Sequence, residues 1–387
     1  MAGDLLLDAV TSVRDAALWS EIDVKIIVID NSPDKSDEFI ASVVEIYYSL
    51  PSNPGFGAAS NQGLFLGNKS FASSWYLILN PDAVIEAEFF TNLANSPHFD
   101  LKGSPNPIIP LICFDEPVLR LIDPKAIQLG MQGFQILDPL DSFCVFDKKG
   151  EPNYFTNSSI KIVPAGGHLC LKEAGKIPKE LVLRSTSLGL TSSESDFQIL
   201  KLSRENFTED LVVQNAGSEI YSHFSAGDLK TGWLASGVSR YSGGPRRAWC
   251  GAGVLIPRMY LEKNGGFNER FFLYFEDTEF SYRGILAENL PVLCPNLIVK
   301  HRHSALTGKN SLSRSKSIWR SRAAFVSLTS GKAYALTFIA GISARSIILL
   351  LRRRTTLRYF FKFLLPEIIQ SVIGFLNSVL PQQDGRV

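Results

Sequence analysis

Several short apolar runs, two of them stopping dead at a polar turn, limit what this chain can become. Val24-Lys25-Ile26-Ile27-Val28-Ile29 ends at Asp30-Asn31-Ser32, residues 43–48 form a second run, and Trp75-Tyr76-Leu77-Ile78-Leu79 ends at Asn80-Pro81-Asp82. Near-continuous apolar runs of this length are strands covered on both faces. Helical signals alternate with them. Residues 5–19 place Leu6, Val10, Val13 and Ala17 at helical spacing, residues 38–42 read as a short helix, and the Gly-rich turn of residues 53–63 enters another. Alternation of this kind predicts a doubly wound α/β domain, which binds ligands at the carboxyl edge of its strands. Asp30, Asn80 and Asp82 fall at that edge.

The chain has 387 residues, 45% hydrophobic and 20% charged, enough for two or three folded units. Its net charge of +1 conceals a division: 14 of the 39 Lys and Arg lie between Lys300 and Lys362, and residues 289–366 contain no Asp or Glu. A basic C-terminal third on an acidic body points to an anionic partner surface. No nucleic-acid reading motif accompanies the charge, so nucleic acid is not expected. Cys113, Cys144, Cys170, Cys250 and Cys294 are scattered and odd in number, which argues against a disulfide framework or a zinc site and fits a reducing compartment. Met1-Ala2-Gly3-Asp4 has no basic-then-apolar leader pattern.

Residues 101–211 change texture, with frequent Pro and Gly and short apolar runs between turn signals, and read as a β-rich insertion. Near residue 212 the α/β pattern resumes. Trp249-Cys250-Gly251-Ala252-Gly253 leads into a strand, and a second strand region ends at His301-Arg302-His303. Between them lies Phe271-Phe272-Leu273-Tyr274-Phe275-Glu276-Asp277-Thr278-Glu279. A carboxylate behind so apolar a run loses solvent, and its pKa rises toward that of a general base. The same residues also suit the start of a helix, and the two readings are compatible. At the C-terminus, residues 333–351 carry one charge, Arg345, ahead of Arg352-Arg353-Arg354. Basic residues beside Tyr359, Phe360, Phe361 and Phe363 suit helices lying at an anionic membrane surface; a soluble helical cap is the alternative.

The order of these motifs resembles the inverting, nucleotide-sugar-dependent glycosyltransferases of the GT-A fold (glycosyltransferase family two), and most closely their rhamnosyltransferase-like branch. The motifs are Asp30-Asn31-Ser32, Asn53-Pro54-Gly55-Phe56-Gly57 with Asn61-Gln62-Gly63, Leu79-Asn80-Pro81-Asp82, Cys250-Gly251-Ala252, the stretch from Gly265 to Glu279, and Pro295 followed by His301. The resemblance covers roughly residues 5–100 and 212–325. It implies a nucleotide-sugar-binding half at 1–100, the insertion at 101–211, an acceptor and catalytic half at 212–330, and membrane-surface helices at 331–387.

It further implies Asp277 as the catalytic base, with Glu276 beside it and Glu279 in orientation or acceptor contacts. Asp30, Asn53, Gly55, Asn61, Asn80, Gly251 and Ala252 correspond to nucleotide-sugar-binding positions, with Asp30 on a uracil or thymine imide. Asp82 and His301 correspond to ligands of Mg²⁺ or Mn²⁺. The donor implied is a UDP- or dTDP-sugar, with dTDP-rhamnose favoured, and the acceptor a glycan or lipid-linked hydroxyl at the cytoplasmic face of the cell membrane. The family opens with a strand ahead of the first helix; this sequence opens at the helix, which implies either an upstream start or an impaired donor site. Two rival functions follow: a catalytically impaired scaffold in polysaccharide assembly, and a nucleotidyltransferase, disfavoured by the lack of a basic G-x-G loop.

Overall fold

The computed structural model describes residues 2–32, 38–101, 104–115, 211–221, 226–231, 233–239, 244–302, 312–351, 361 and 364–379, with strand segments between 118 and 208. His303, Arg352-Arg353-Arg354, Tyr359, Phe360, Phe363 and most of the 101–211 segment lie outside the described residues. The first half comprises α1 (Ala2–Leu18), β1 (Ile27–Asp30), α2 (Glu38–Val43), β2 (Ile46–Ser49), α3 (Phe56–Phe71), β3 (Trp75–Leu79), β4 (Ala83–Ile85), α4 (Phe89–Ala94) and β5 (Ile108–Phe114). Next come β6 (Val118–Arg120), β7 (Ser142–Phe146), β8 (Pro152–Thr156), β9 (Ile160–Val163), β10 (His168–Leu171), β11 (Glu180–Arg184), β12 (Phe197–Lys201) and β13 (Phe207–Thr208). The second half holds β14 (Val213–Asn215), β15 (Ser218–Ile220), β16 (Ala226–Asp228), α5 (Ala235–Ser239), β17 (Gly253–Pro257), α6 (Arg258–Asn264), α7 (Glu276–Leu286) and β18 (Val292–His301). Helices α8 (Leu312–Ser330), α9 (Lys332–Leu351) and α10 (Leu365–Val379) end it. The chain is mixed α/β with a helical C-terminus.

The main sheet runs β3-β17-β5-β18-β4, with β14 also on β5. It is mixed, where the alternation of elements predicts uniform winding. β18 is parallel to β5, whereas β17 is antiparallel to both β3 and β5. The cause is local: the Asn80 N–H donates to the Ala252 carbonyl at 3.2 Å, so β17 starts where β3 ends and must run back along it. β1 and β2 form a separate parallel pair, with α3 spanning both groups: Gly63 lies against Ile29, and Gly67 against Ile27 and Tyr76.

β5 lies within the 101–211 stretch, yet it is a fully buried inner strand of the main sheet. Pro110 interrupts its apolar run and hides it in the sequence. Proline has no N–H to give the ladder, and the register with β18 slips at that point, from Cys294 opposite Pro110 to Ile298 opposite Leu111. The strands described beyond it are antiparallel where they pair: β7 with β8, β11 with β12, and β13-β6-β10-β9.

β5 feeds two cores because successive side chains point to opposite faces. Ile109, Leu111 and Cys113 join Trp249, Tyr260, Phe267 and Phe280; Ile108 and Ile112 join Phe89, Phe90 and Leu93. In the first core the Phe280 ring lies 4.9 Å from Phe267 and 5.4 Å from Trp249, in edge-to-face geometry that suits their quadrupoles. Replacing Phe280 by Ala is expected to cost about 3–5 kcal/mol in urea unfolding. Phe272→Ala, at a half-exposed ring, is expected to cost well under half of that, and equal costs would show that the aromatic cluster is not the anchor.

Candidate active site

The acidic motif reaches the sheet edge through an unusual turn. Tyr274 and Phe275 both adopt left-handed backbone, φ 66° and 68°, immediately before α7. Each costs on the order of 1–2 kcal/mol for a side chain with a Cβ, so the surroundings must hold them. Phe271 is buried, Phe275 stacks 5.6 Å from Phe325 of α8, and the Ser321 hydroxyl donates to the Leu273 carbonyl at 2.9 Å. From the other side, the Phe56 N–H donates to the Phe272 carbonyl at 3.1 Å. Gly55, φ 99°, lies so close to that carbonyl that any Cβ would collide with it.

The turn delivers Asp277 to the sheet edge. Its Oδ2 accepts the Gly251 N–H at 3.0 Å, and its Oδ1 accepts the Thr278 N–H at 2.7 Å and hydroxyl at 3.2 Å. Burial pushes the carboxyl above the usual aspartate range, and those three donors hold part of the rise back. Part of the residue stays open to solvent. A Cβ on Gly251 would press on the Phe56 ring at 3.2 Å and sit 3.7 Å from Asp277 Oδ2, so a small residue there keeps the approach open. Glu276 is 5% exposed, and its Oε2 has no partner among the described residues. Burial, then the neighbouring Asp277 charge, holds its carboxyl well above the usual glutamate range. Of the two, Glu276 is raised further, and Asp277, with three donors, is raised less. Glu279 is committed to Arg283 at 3.0 Å, and Arg283 in turn binds the Asn264 and Gly266 carbonyls.

A further acid, Asp228 at the end of β16, acts electrostatically on Asp277 and raises it. The fully buried Asn215 donates to Asp228 Oδ1 at 2.7 Å and Ser218 donates at 3.3 Å. Sequence reasoning missed it because Ser-Ala-Gly-Asp is an ordinary turn, and the partners that orient it lie 10 and 13 residues upstream. Cys250 lies among these charges, and burial first, then Asp228 and Asp277, pushes its thiol far up and leaves it unreactive.

Asp82 and His301 meet at the same edge, Asp82 Oδ1 lying 3.2 Å from His301 Nε2, each residue under a tenth exposed. The Gln214 amide oxygen lies 3.0 Å from His301 Nδ1 and Asn80 Nδ2 lies 3.5 Å from Nε2. The Gln214 amide oxygen and the Asp82 carboxyl thus face the two ring nitrogens of His301, one each. Carboxylate oxygen and imidazole nitrogen are acceptable ligands for Mn²⁺, with the carboxylate alone suiting Mg²⁺ better. Among the described residues no third His, Cys, Asp or Glu joins the pair.

The remaining predicted positions divide. Gly251, Ala252 and Asn80 connect the two acidic groups: Asp277 takes the Gly251 N–H, and the next residue, Ala252, takes that of Asn80, two residues before Asp82. Asp30 accepts from the Ser32 N–H at 2.9 Å, the Ser32 hydroxyl at 2.5 Å and the Tyr47 hydroxyl at 2.7 Å, at the end of β1. Asn53 accepts the Gly55 N–H at 2.9 Å and shapes the turn into α3. Asn61 clamps the loop: its oxygen accepts the Phe267 N–H at 2.8 Å and its amide donates to the Phe267 carbonyl at 2.9 Å. Two open hollows, of about 400 and 340 Å³, are found, one beside Arg246 and Leu290 and one between α3 and α6, the second lined by Asn61 but by none of the other predicted positions.

No family model matches the chain, and no curated protein sequence does. Among solved structures the chain is similar to a crystal structure of GalNAc-T7 with UDP, GalNAc and Mn²⁺, at 12% identity and a TM-score of 0.42, covering 78% of this chain and 41% of that one. The chain therefore spans less than half the length of that protein, and a likeness so distant assigns no chemistry.

The buried Glu276 leaves a thermodynamic trace. With its folded pKa raised, the folded state binds more protons than the unfolded state above the ordinary glutamate pKa, so stability falls as pH climbs from there toward the raised value. Glu276→Gln removes that slope. Urea midpoints are expected to show the variant gaining on the wild type between pH 5 and pH 7; a pH-independent difference would mean that Glu276 is ionised in the fold.

Proposed function

We propose that the chain is an inverting glycosyltransferase that moves a sugar from a nucleoside diphosphate to a hydroxyl of a glycan or lipid-linked acceptor. The observation that carries this reading is Asp277: a carboxyl raised by burial and oriented by the Gly251 N–H, on a residue that is only partly buried. A base of that kind takes the acceptor's proton as its oxygen bonds to the anomeric carbon, while the bond from that carbon to the diphosphate oxygen breaks on the opposite face. One displacement inverts the centre, so a single base suffices. Glu276, raised further than Asp277 by its burial, would hold its proton more firmly than its neighbour does.

The ordered motif set from Asp30 to His301 supports the donor as a UDP- or dTDP-sugar, with rhamnose the first to try, and supports membership of the GT-A group. Asp82 and His301 would hold Mg²⁺ or Mn²⁺, the cation neutralising charge on the departing diphosphate. Gln214, 3.0 Å from Nδ1, would orient the imidazole for that role. Asp30 ends β1, Asn53 follows β2 and Asn80 follows β3, strand-end positions where a nucleotide would lie. The enzyme works at the cytoplasmic face of the cell membrane, where its acceptor is assembled.

Asp277→Asn is expected to lower kcat by roughly 10²–10⁴ while donor affinity stays within about twofold of wild type. Asp82→Ala is expected to weaken Mn²⁺-dependent donor binding. Calorimetry with UDP- and dTDP-sugars, beside a turnover assay, separates the two; equal losses of donor affinity in both variants would contradict the division of roles. Wild-type turnover should rise with pH as Asp277 ionises, the midpoint lying above the ordinary aspartate range.

A further inference from the structure

The C-terminal helices are packed inside out. α9 buries Ala335, Ile339 and the wholly enclosed Ser346, while Leu336, Ile347 and Ile348 stand about half exposed. α10 repeats the inversion, burying Gln370, Ser371, Gly374 and Ser378 and exposing Ile369, Val372 and Leu376. A helix at a water interface turns its apolar stripe inward; these two turn part of it outward. Their inner contacts are made by small and polar groups, as between helices surrounded by lipid. Gly374 lies so close to the Arg320 carbonyl that no Cβ would fit, and Arg320 donates to Gln370 Oε1 at 2.7 Å.

The charges on this layer are handled in the same sense. Arg345, the one charge within α9 after Lys332, lies 3.5 Å from Glu367 of α10. α9 contains an 18-residue window, Lys332–Leu349, apolar enough to cross a bilayer by length and composition and mostly unburied. It does not stand upright, however. α8 packs on the catalytic half through Ala324 and Phe325 and carries α9 and α10 on its other side, with the Arg322 guanidinium over the Phe338 ring at 5.0 Å. The exposed apolar side therefore lies on the outside of this helical layer. The surrounding sequence, residues 289–366, holds no acidic residue.

We propose that the outer face of α9 and α10 docks into the headgroup–acyl boundary of an anionic lipid bilayer, and that docking holds the acidic loop against the membrane surface. Apolar area enters the boundary while basic residues meet the headgroups. The layer is bonded to the loop directly. Arg270 donates to the Asn377 and Ser378 carbonyls at the end of α10, at 3.1 and 2.7 Å, and Ser321 of α8 donates to the Leu273 carbonyl. Docking needs no catalysis. Only its consequence, that the acceptor is presented from the membrane, rests on the glycosyl-transfer reading.

The test is flotation of the full chain with phosphatidylcholine vesicles, with and without phosphatidylserine. Wild type should float with the anionic vesicles and far less with the neutral ones. The pairs Ile347→Glu with Ile348→Glu, and Val372→Glu with Leu376→Glu, should reduce the floated fraction roughly tenfold with unchanged far-UV circular dichroism. Hydrogen exchange on the wild type needs no variant: amides of α9, α10 and residues 268–279 should slow when anionic vesicles are added. Flotation unchanged by both pairs, or no slowing in α9 and α10, overturns lipid docking. Slowing in the helices alone overturns the coupling to the loop. A wild-type dimer that the substitutions dissolve, with no vesicle binding, assigns the face to a second copy instead.

Discussion

The Phe272 carbonyl, wedged against the start of α3, is the contact on which the site depends. It accepts the Phe56 N–H and approaches Gly55 too closely for any side chain there. One turn further on, Asn61 uses both ends of its amide on the Phe267 backbone. Residues some two hundred positions apart are thereby locked through main-chain groups, whose hydrogen bonds cannot be left unmade in a buried place without a penalty of about 1–3 kcal/mol each. Side-chain packing alone would allow the loop to slide. These bonds fix its register, and with it the place where Asp277 enters the sheet edge.

Two opposing fields act on the carboxyl groups placed there. The N-terminus of α7 and the N–H groups of Gly251 and Thr278 favour charge, while burial and the neighbouring acids disfavour it. Asp277 receives those donors while Glu276 Oε2 has none among the described residues, so burial raises Glu276 further than its neighbour of almost the same chemistry. Asp228 enters from a separate strand, held by Asn215 and Ser218, and adds to the pressure on Asp277. Division of labour between like groups arises here from hydrogen-bond geometry.

Much of this was legible in the sequence because strand ends are. The runs before Asp30 and Asn80 are strands β1 and β3, and Glu276 starts a helix as that stretch suggests, although the N-cap position, Phe275, makes no side-chain capping bond. What was not legible has physical causes. β5 was concealed by Pro110, whose missing N–H is accommodated by a register slip visible only in the pairing. The run beginning at Val43 enters its strand three residues later, because Val43 ends α2. Asp228 carries no local signal, since its neighbours in space come from β14 and β15. The outward face of α9 and α10 could not be read either: the sequence shows that a helix has an apolar stripe, but only packing shows which way the stripe turns.

The acidic loop is shared by three neighbours that have no other common purpose. α3 holds the Phe272 carbonyl, α8 holds the Leu273 carbonyl, and Arg270 holds the end of α10. Between these fixed points the chain must pass through two left-handed residues, Tyr274 and Phe275, which neither could adopt comfortably alone. A loop strained in this way and restrained from three sides does not deform by degrees; packed elements shift between discrete arrangements. Displacement of the α8–α10 layer relative to the sheet would therefore not tilt Asp277 slightly. It would release one of the three anchors, let the left-handed pair relax, and carry the carboxyl away from the Gly251 N–H, so the helical layer and the position of Asp277 are parts of one mechanical unit.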